Sequence, residues 1–426
     1  MNFFEKYLNK NRIYGDYITV PPDKNLGYIV VIPAYNEDCI LETLNSLNEA
    51  KKPSKKVEII IVINSSENSS KKIIQQNKKT AEDIKEWMIN NPERFFDLYI
   101  IEKNNLPSKY FGAGYARKTG MDEAISRFNK INQKEGYLIS LDADVEVNNN
   151  YFTAIEEYTK KNPETNAGII YFEHPAGGTK FTDDIYNSII HYELYLRYYK
   201  NALRWAGFPY AFHTIGSAFI VKAEAYVKQG GMNRKQAGED FYFLNKIFQL
   251  GNVAEINKTR VIPSPRPSDR VIFGTGPEVK KRLKQSESLK DTYDLEAFET
   301  LKNFFSMISE LFKSSHEEVE FYMTQQPEIL KNFLEKENFT RTINRINNNC
   351  KNEDIFLKHF YNWFDGLKII RFLRISHEKY YSKQTLRSGA KKLLSKYGIK
   401  YSEKEDYVSL LKKFRNLDRT VPHSIS

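Results

Sequence analysis

Asp142-Ala143-Asp144 is the triplet in this chain best suited to chemistry. It ends an apolar, strand-like run, Tyr137-Leu-Ile-Ser-Leu141. An extended strand sends alternate side chains to one face, so the two carboxylates converge where the strand gives way to a loop. Two hard oxygen ligands so placed suit Mg²⁺ or Mn²⁺, with positions left open for phosphate oxygens. That chemistry serves an enzyme that must stabilise a departing diphosphate. Taken alone, the triplet fits a solvated turn as well. Arg266 and Arg270 stand in a Pro-rich stretch, Ile262-Pro-Ser-Pro-Arg-Pro-Ser-Asp-Arg270, which reads as irregular. Guanidinium forks grip phosphate oxygens. The stretch is therefore either a loop closing over a diphosphate, with Arg270 the favoured contact, or a linker with solvated arginines.

The elements that must position these residues follow from pattern. Tyr28-Ile-Val-Val-Ile32, Val57-Glu-Ile-Ile-Ile-Val-Ile63 and Leu98-Tyr-Ile-Ile101 read as buried strands, and Ala218-Phe-Ile-Val221 as a further one. Helical spacing marks 40–47, a polar stretch over 71–90, a segment near 116–129 and another near 239–250. Strands alternating with helices imply an α/β fold with a largely parallel sheet covered on both faces. Ligands in such sheets bind at the carboxyl ends of the strands. Beyond Pro277 strand signals vanish and apolar residues recur at three- and four-residue spacing, as in Leu295-Glu-Ala-Phe-Glu-Thr-Leu. The expected organisation is residues 1–276 as the catalytic α/β domain, with its core over 27–276, and 277–426 as an α-helical domain.

Five segments stand in one order: Val31-Ile-Pro-Ala-Tyr-Asn-Glu37, Gly112-Ala-Gly-Tyr-Ala-Arg-Lys-Thr-Gly120, Asp142-Ala-Asp144, Gly216-Ser-Ala-Phe-Ile-Val-Lys-Ala-Glu-Ala-Tyr226 and Gly230-Gly-Met-Asn-Arg-Lys-Gln-Ala-Gly-Glu-Asp240. Over roughly Tyr28 to Gly276 this order resembles the bacterial-type family 2 glycosyltransferases of GT-A fold. The resemblance implies transfer of a sugar from a nucleotide diphosphate donor to an acceptor hydroxyl, with inversion and with Mg²⁺ or Mn²⁺ bridging protein and diphosphate. By position, Pro33, Ala34, Tyr35 and Glu37 would line the base and ribose pocket, and Arg117 would face the nucleotide. Asp142 would contact the ribose or the metal, and Asp144 would ligate the metal. Asp240 would be the general base, with Glu239 orienting the site or holding the acceptor. A bland reading makes both first-turn acids that favour the dipole of the following helix. Gly216 and Gly231 would shape the acceptor side. His213 is a candidate to face the acceptor or the diphosphate, although a lone His is more often structural, and His174 is a weaker candidate still. One departure stands out. Members usually carry an Asp after the second strand to read the base, whereas this chain has Asn64, whose amide both donates and accepts. The choice between uridine and guanosine donors stays open.

Bulk composition narrows the rest. The chain has 426 residues, 41% hydrophobic, and only Cys39 and Cys350, which excludes a disulfide framework or a Cys-based zinc site. The N-terminus lacks a signal-peptide pattern and no run has the length of a membrane span, so a cytoplasmic location is expected. The net charge of +10 resides in the last sixth: from Ile355 onward there are 16 Lys/Arg and 6 Asp/Glu. A basic patch of this kind is either a solvated face or a contact for anionic partners. Thr385–Lys396 reads as an amphipathic helix suited to a peripheral membrane contact at the inner face, and many relatives modify lipid-linked acceptors. The acceptor is otherwise a saccharide or a small molecule. No nucleic-acid-binding module is recognisable. The competing functional classes are a nucleotidyltransferase, which leaves the Gly230–Asp240 segment without a purpose, and a non-catalytic sugar-nucleotide-binding scaffold.

Overall fold

A computed structural model describes every residue except 13–14, 237, 271–272, 285–290 and 426. The chain divides into two compact units. The first comprises Met1–Ile189, Phe212–Lys284 and Asn416–Ser426, and the second Ile190–Ala211 and Gln285–Arg415.

The first unit is built on a mixed sheet. Strand β1 (Leu26–Ala34) lies between β2 (Lys56–Ser66) and β4 (Tyr137–Ser140), parallel to both, and β3 (Asp97–Leu106) extends the parallel set beyond β2. Ile29, Val30, Val31 and Ile32 of β1 and Ile59 to Ile63 of β2 are wholly inaccessible, as the β-branched runs require of strands covered on both faces. Beyond β4 and the short β5 (Val145–Val147), the chain adds β6 (Ala167–Phe172), β7 (Phe219–Lys222) and β8 (Val253–Pro263). Strand β7 is antiparallel to both β4 and β6, β8 runs parallel to β6, and β5 pairs antiparallel with β8. Helices α1 (Phe3–Asn11), α2 (Ile40–Glu49), α3 (Lys71–Asn90), α4 (Ala113–Lys130) and α5 (Tyr151–Lys161) punctuate the first half. They are followed by α6 (Asp183–Trp205), of which residues 190–205 belong to the second unit, and by α7 (Ala223–Lys228), α8 (Glu239–Phe248) and α9 (Thr275–Lys284). This is the α/β class that the alternation of strand and helix patterns predicts. Ile262 and Pro263, read from sequence as irregular, instead complete β8 by pairing with Glu146 and Val145. Pro263 is the last residue of β8, where a missing backbone donor leaves the ladder before it intact.

The second unit is helical. It holds α10 (Leu295–Ser306), α11 (His316–Thr324), α12 (Glu328–Lys336), α13 (Phe339–Asn347), α14 (Glu353–Trp363), α15 (Gly366–Lys379) and α16 (Leu386–Lys396), and most of α17 (Tyr407–Thr420). Its core is aromatic: Phe304 packs on Phe364 and Phe360 at centroid distances of 5.3 and 5.8 Å, and Phe333 on Phe372 at 5.4 Å. Strand signals after Pro277 were not expected. Two-residue strands β9 (Asp291–Thr292) and β10 (Gln384–Thr385) nevertheless pair, and β11 (Ser424–Ile425) returns to the first unit's sheet beside β8. Strands this short carry no periodicity to detect. Leu386, Leu393 and Leu394 of α16 are buried, so the apolar face of that helix is already used in packing. No described helix is long and apolar enough to cross a membrane.

One buried ion pair ties the sheet to α4. Arg127 is fully inaccessible, forks onto Glu58 of β2 (Nη2–Oε1 2.6 Å), and donates to the Val20 carbonyl at 2.9 Å. Desolvation pushes the Glu58 carboxyl upward, and the Arg127 charge pulls it back. Replacing Arg127 by Leu leaves that carboxylate unpaired and is expected to cost about 3–5 kcal/mol in urea unfolding. The loss should be smaller at about pH 5 than at about pH 8, because an unpaired buried carboxyl takes up a proton more readily as pH falls. An unchanged unfolding midpoint at both pH values would show that the pair contributes no stability.

Candidate active site

The ends of the parallel strands deliver the motif residues to one edge of the sheet. Pro33 and Ala34 close β1, Asn64 sits near the end of β2, and Asp142 follows β4. At the centre of this edge is Arg117. It stands on the second turn of α4 with only 4% of its side chain exposed, and its guanidinium binds the carboxylates of both Asp142 and Glu239. Its Nε donates to Ser140 Oγ at 3.1 Å, and that hydroxyl donates to the Gly216 carbonyl at 2.6 Å. Four of the five ordered motifs therefore meet on one cation. Asp142 and Glu239 lie 25 and 122 positions from Arg117 in sequence.

Asp240 lies beside this cluster. One carboxylate oxygen accepts the Phe241 amide at 2.7 Å, and the other lies 3.1 Å from where a Gly216 Cβ would be. Burial raises the affinity of both Glu239 and Asp240 for a proton, and Arg117 partly offsets the effect at each. Burial likewise raises Asp142, again against Arg117. The two acids head α8, as a dipole argument alone allows. Glu239, however, is turned into the ion pair with Arg117 and is 4% exposed. Ala237 of this motif lies outside the described residues.

Asp142 and Asp144 engage different cations. The chain turns at Ala143-Asp144 just after the strand, and Asp144 Oδ2 accepts from Arg266 Nε at 3.1 Å and Arg270 Nη2 at 3.0 Å. Both arginines also bind Glu37, Arg266 through two contacts of 2.5 Å, and Arg266 reaches Asp38. The segment after β8 thus lies across the ends of β1 and β4. Glu37 is 3% exposed, and its carboxylate also accepts the amides of Asp38 and Cys39 at 3.0 and 2.9 Å. The side chains of Glu37, Asp38 and Cys39 present ligand-type atoms within 4.8 Å of one another, but this cluster already holds Arg266.

The base-side residues are less open. Tyr35 packs edge-on against Phe111 at 4.7 Å. Asn64 is 1% exposed: its amide donates to the Gly112 carbonyl at 2.9 Å, and its own carbonyl accepts from Asn77 at 2.9 Å. Asn77 in turn accepts the amide of Asn36 at 2.8 Å, which links the loops after β1 and β2. His213 is placed elsewhere, against Phe172 at 4.9 Å and 3.8 Å from Asp418. His174 also packs on Phe172, at 5.5 Å. Gly231 lies under Tyr7 of α1. Sequence reasoning did not single out Ser140, although a hydroxyl two residues before the Asp-x-Asp triplet was the available signal. Nor did it single out Tyr7.

A largely parallel core with an acidic pair after its central strand and a second acidic pair at a helix start is the arrangement that the resemblance to GT-A glycosyltransferases implies. Residues 29–226 match the model for glycosyl transferase family 2. Among solved structures, residues 1–349 of TarS from S. aureus, in complex with UDP-GlcNAc, align at 15% identity and a TM-score of 0.41, covering 83% of this chain and 91% of that one. The mannosyltransferase PcManGT from Pyrobaculum calidifontis, in complex with GDP-Man and Mn²⁺, aligns at 13% identity and a TM-score of 0.36, covering 98% of this chain and 92% of that one. No curated protein matches by sequence.

The close approach at Gly216 gives a direct test. A Cβ there would lie 2.5 Å from Arg117 Nη2 and 2.9 Å from its central carbon. Gly216→Ala is expected to push the guanidinium off Asp142 and Glu239 and to lower turnover about 10²-fold, the scale of a misplacement near 1 Å. Cooperative unfolding should survive. Full activity in the alanine variant would mean that Arg117 need not hold this position.

Proposed function

We propose that the chain transfers a sugar from a nucleotide-diphosphate-sugar donor to an acceptor hydroxyl with inversion, using Asp240 as general base. The observation that carries this reading is the placement of Asp240 beside, but outside, the ion pairs of Arg117. Glu239 and Asp142 are both bound by that guanidinium. Asp240 has one oxygen fixed by a backbone amide and the other turned toward Gly216. An alcohol is a poor nucleophile until its proton is taken, and a carboxylate whose proton affinity is raised by burial takes it better than a solvated one. With one base and no carboxylate assigned as nucleophile, displacement is direct and the anomeric configuration inverts.

The donor set fits a divalent ion. Asp142 and Asp144 supply hard oxygens, and Mg²⁺ or Mn²⁺ is typically held by one or two carboxylates together with substrate phosphates. Asp144 already accepts from two guanidiniums, which marks its surroundings as a place where positive charge is stabilised. When bound, such an ion offsets the charge that develops on the leaving diphosphate. Arg117 orients Asp142 and Glu239 and offsets part of the proton affinity that burial gives them. Arg266 and Arg270, on leaving Glu37 and Asp144, can turn their forks to the diphosphate oxygens. Pro33, Ala34, Tyr35 and Glu37 face the nucleotide side, with Asn64 fixing the Gly112 loop beneath it. The basic second unit leaves a peripheral contact with anionic lipid open through its charge rather than through the apolar face of α16.

The deciding experiment is donor binding and acceptor-free hydrolysis across a panel of nucleotide sugars, with and without Mn²⁺. Wild type should bind and slowly hydrolyse one donor in a metal-dependent way, and Asp144→Ala should lose both. Binding of no donor under any metal would sink the reading, and release of pyrophosphate would make the protein a nucleotidyltransferase. Asp240→Asn should keep donor affinity and lose about 10²–10⁴-fold in transfer.

The pH dependence has a definite sign. The base works only when ionised, and burial raises its pKa, so the rate should fall as pH drops through a limb lying above the ordinary Asp value of about 3.9. A rate that is flat down to that value would remove Asp240 from the role.

A further inference from the structure

The N-terminal segment precedes the family match, which begins at residue 29, yet it is fastened along α4. Asn2 donates to Asn129 at 2.8 Å, Arg12 pairs with the buried Glu123 at 2.5 Å, and the amides of Tyr17 and Ile18 bond the same carboxylate at 3.1 and 3.2 Å. Between these contacts Tyr7 is 4% exposed. Its hydroxyl donates to Asp122 Oδ1 at 2.7 Å. The same oxygen accepts from Tyr226 at 2.9 Å, and Lys118 completes the cluster by pairing with Asp122 at 2.8 Å. Burial beside Asp122 raises the Tyr7 phenol far above its ordinary range, so it remains a protonated donor.

The cluster bears on the turn that follows α7. Gly230 and Gly231 have φ of +78° and +76°, and the Gly231 amide bonds the Tyr226 carbonyl at 2.9 Å. A Cβ on Gly231 would fall on the Tyr7 hydroxyl itself, so the turn is seated directly on that oxygen. From this seat the chain runs through Met232, which is 2% exposed, to Asn233, whose amide donates to the Glu239 carbonyl at 3.1 Å. Tyr7 and Glu239 are thus the two ends of one short mechanical chain.

We propose that Tyr7 is a positioning residue for the acceptor side of the site. Its hydroxyl seats the Gly230-Gly231 turn and thereby sets where Glu239 and Asp240 begin α8. The proposal rests on the transferase reading for the roles of those two acids, while the mechanical link itself is independent of it. An isolated docking role for α1 would only hold the N-terminal segment down. The positioning role predicts that removal of one oxygen is felt at a loop more than 220 residues later, about 224 positions on from Tyr7.

The test uses the full-length chain and Tyr7→Phe, with Arg12→Gln as a control that weakens N-terminal docking away from the turn. Amide hydrogen exchange should quicken in the peptide spanning 229–241 in Tyr7→Phe and not in Arg12→Gln, with the β1 and β2 peptides unchanged in both. On the donor selected by the panel, Tyr7→Phe should lower kcat about tenfold or more with donor Kd within about twofold of wild type. Gly231→Ala should reproduce both effects. Because it strikes the same oxygen, the Tyr7→Phe and Gly231→Ala losses should be strongly non-additive in the double variant. Unchanged exchange over 229–241, or simple additivity, overturns the proposal. If wild type binds and hydrolyses no donor, the transferase reading fails, and the exchange and unfolding-stability cycle still decide whether Tyr7 seats the turn.

Discussion

The site is organised by one buried guanidinium. Arg117 is removed from water, and a cation so placed must be matched by anions or it would oppose folding by several kcal/mol. Asp142 and Glu239 supply the match, and Ser140 takes the remaining Nε donor. The requirement works in both directions. Each carboxylate is itself desolvated and would take up a proton without Arg117. The strand end that carries Asp142 and the helix start that carries Glu239 are therefore held together by mutual charge compensation. Asp240 follows as the next residue on the same helix, with its own geometry set by the Phe241 amide.

That arrangement separates acids bound by a guanidinium from one that is not so bound among the described interactions. An acid bound by a guanidinium is a weak base because the cation stabilises its ionised form. Glu239 and Asp142 are bound in this way, which fixes their geometry, although burial still raises the proton affinity of both. Asp240 lacks a direct guanidinium contact among the described interactions and feels Arg117 only through space, while burial raises its proton affinity. Two adjacent acids thereby stand in different surroundings, Glu239 bound by a guanidinium and Asp240 fixed by a backbone amide.

Much of this was legible in the sequence, and the limits have physical causes. Strands β1 and β2 follow from β-branched runs buried on both faces, and β3 and helices α3 and α4 from a short apolar run and helical spacing. The motif residues were found because five short segments stand in one recognisable order along the chain. What local pattern could not give was partnership. Arg117 reads as a helix residue facing a nucleotide until Glu239, 122 positions away, is seen to bind it. Asn64 reads as a base contact, yet its amide is committed to the Gly112 carbonyl. Strand β11 has two residues and no pattern of its own. Tyr7 sits in a nine-residue amphipathic helix whose sequence signals only that one face is buried, not what that face supports.

The remaining balance of charge explains why the arginine-bearing loop lies where it does. Around the edge of the sheet, Glu37, Asp38, Asp142, Asp144, Glu239 and Asp240 stand against only Arg117, Arg266 and Arg270. Carboxylates gathered at this density repel one another strongly at low effective dielectric. Raised proton affinity at Asp240 relieves part of that repulsion, and Arg266 and Arg270 relieve more by bridging Glu37 to Asp144. In the proposed reaction a divalent cation would take over at Asp144, and the diphosphate would offer the two arginines anions in place of those they leave. The surplus of acid at this edge is what the arginines of the loop after β8 offset.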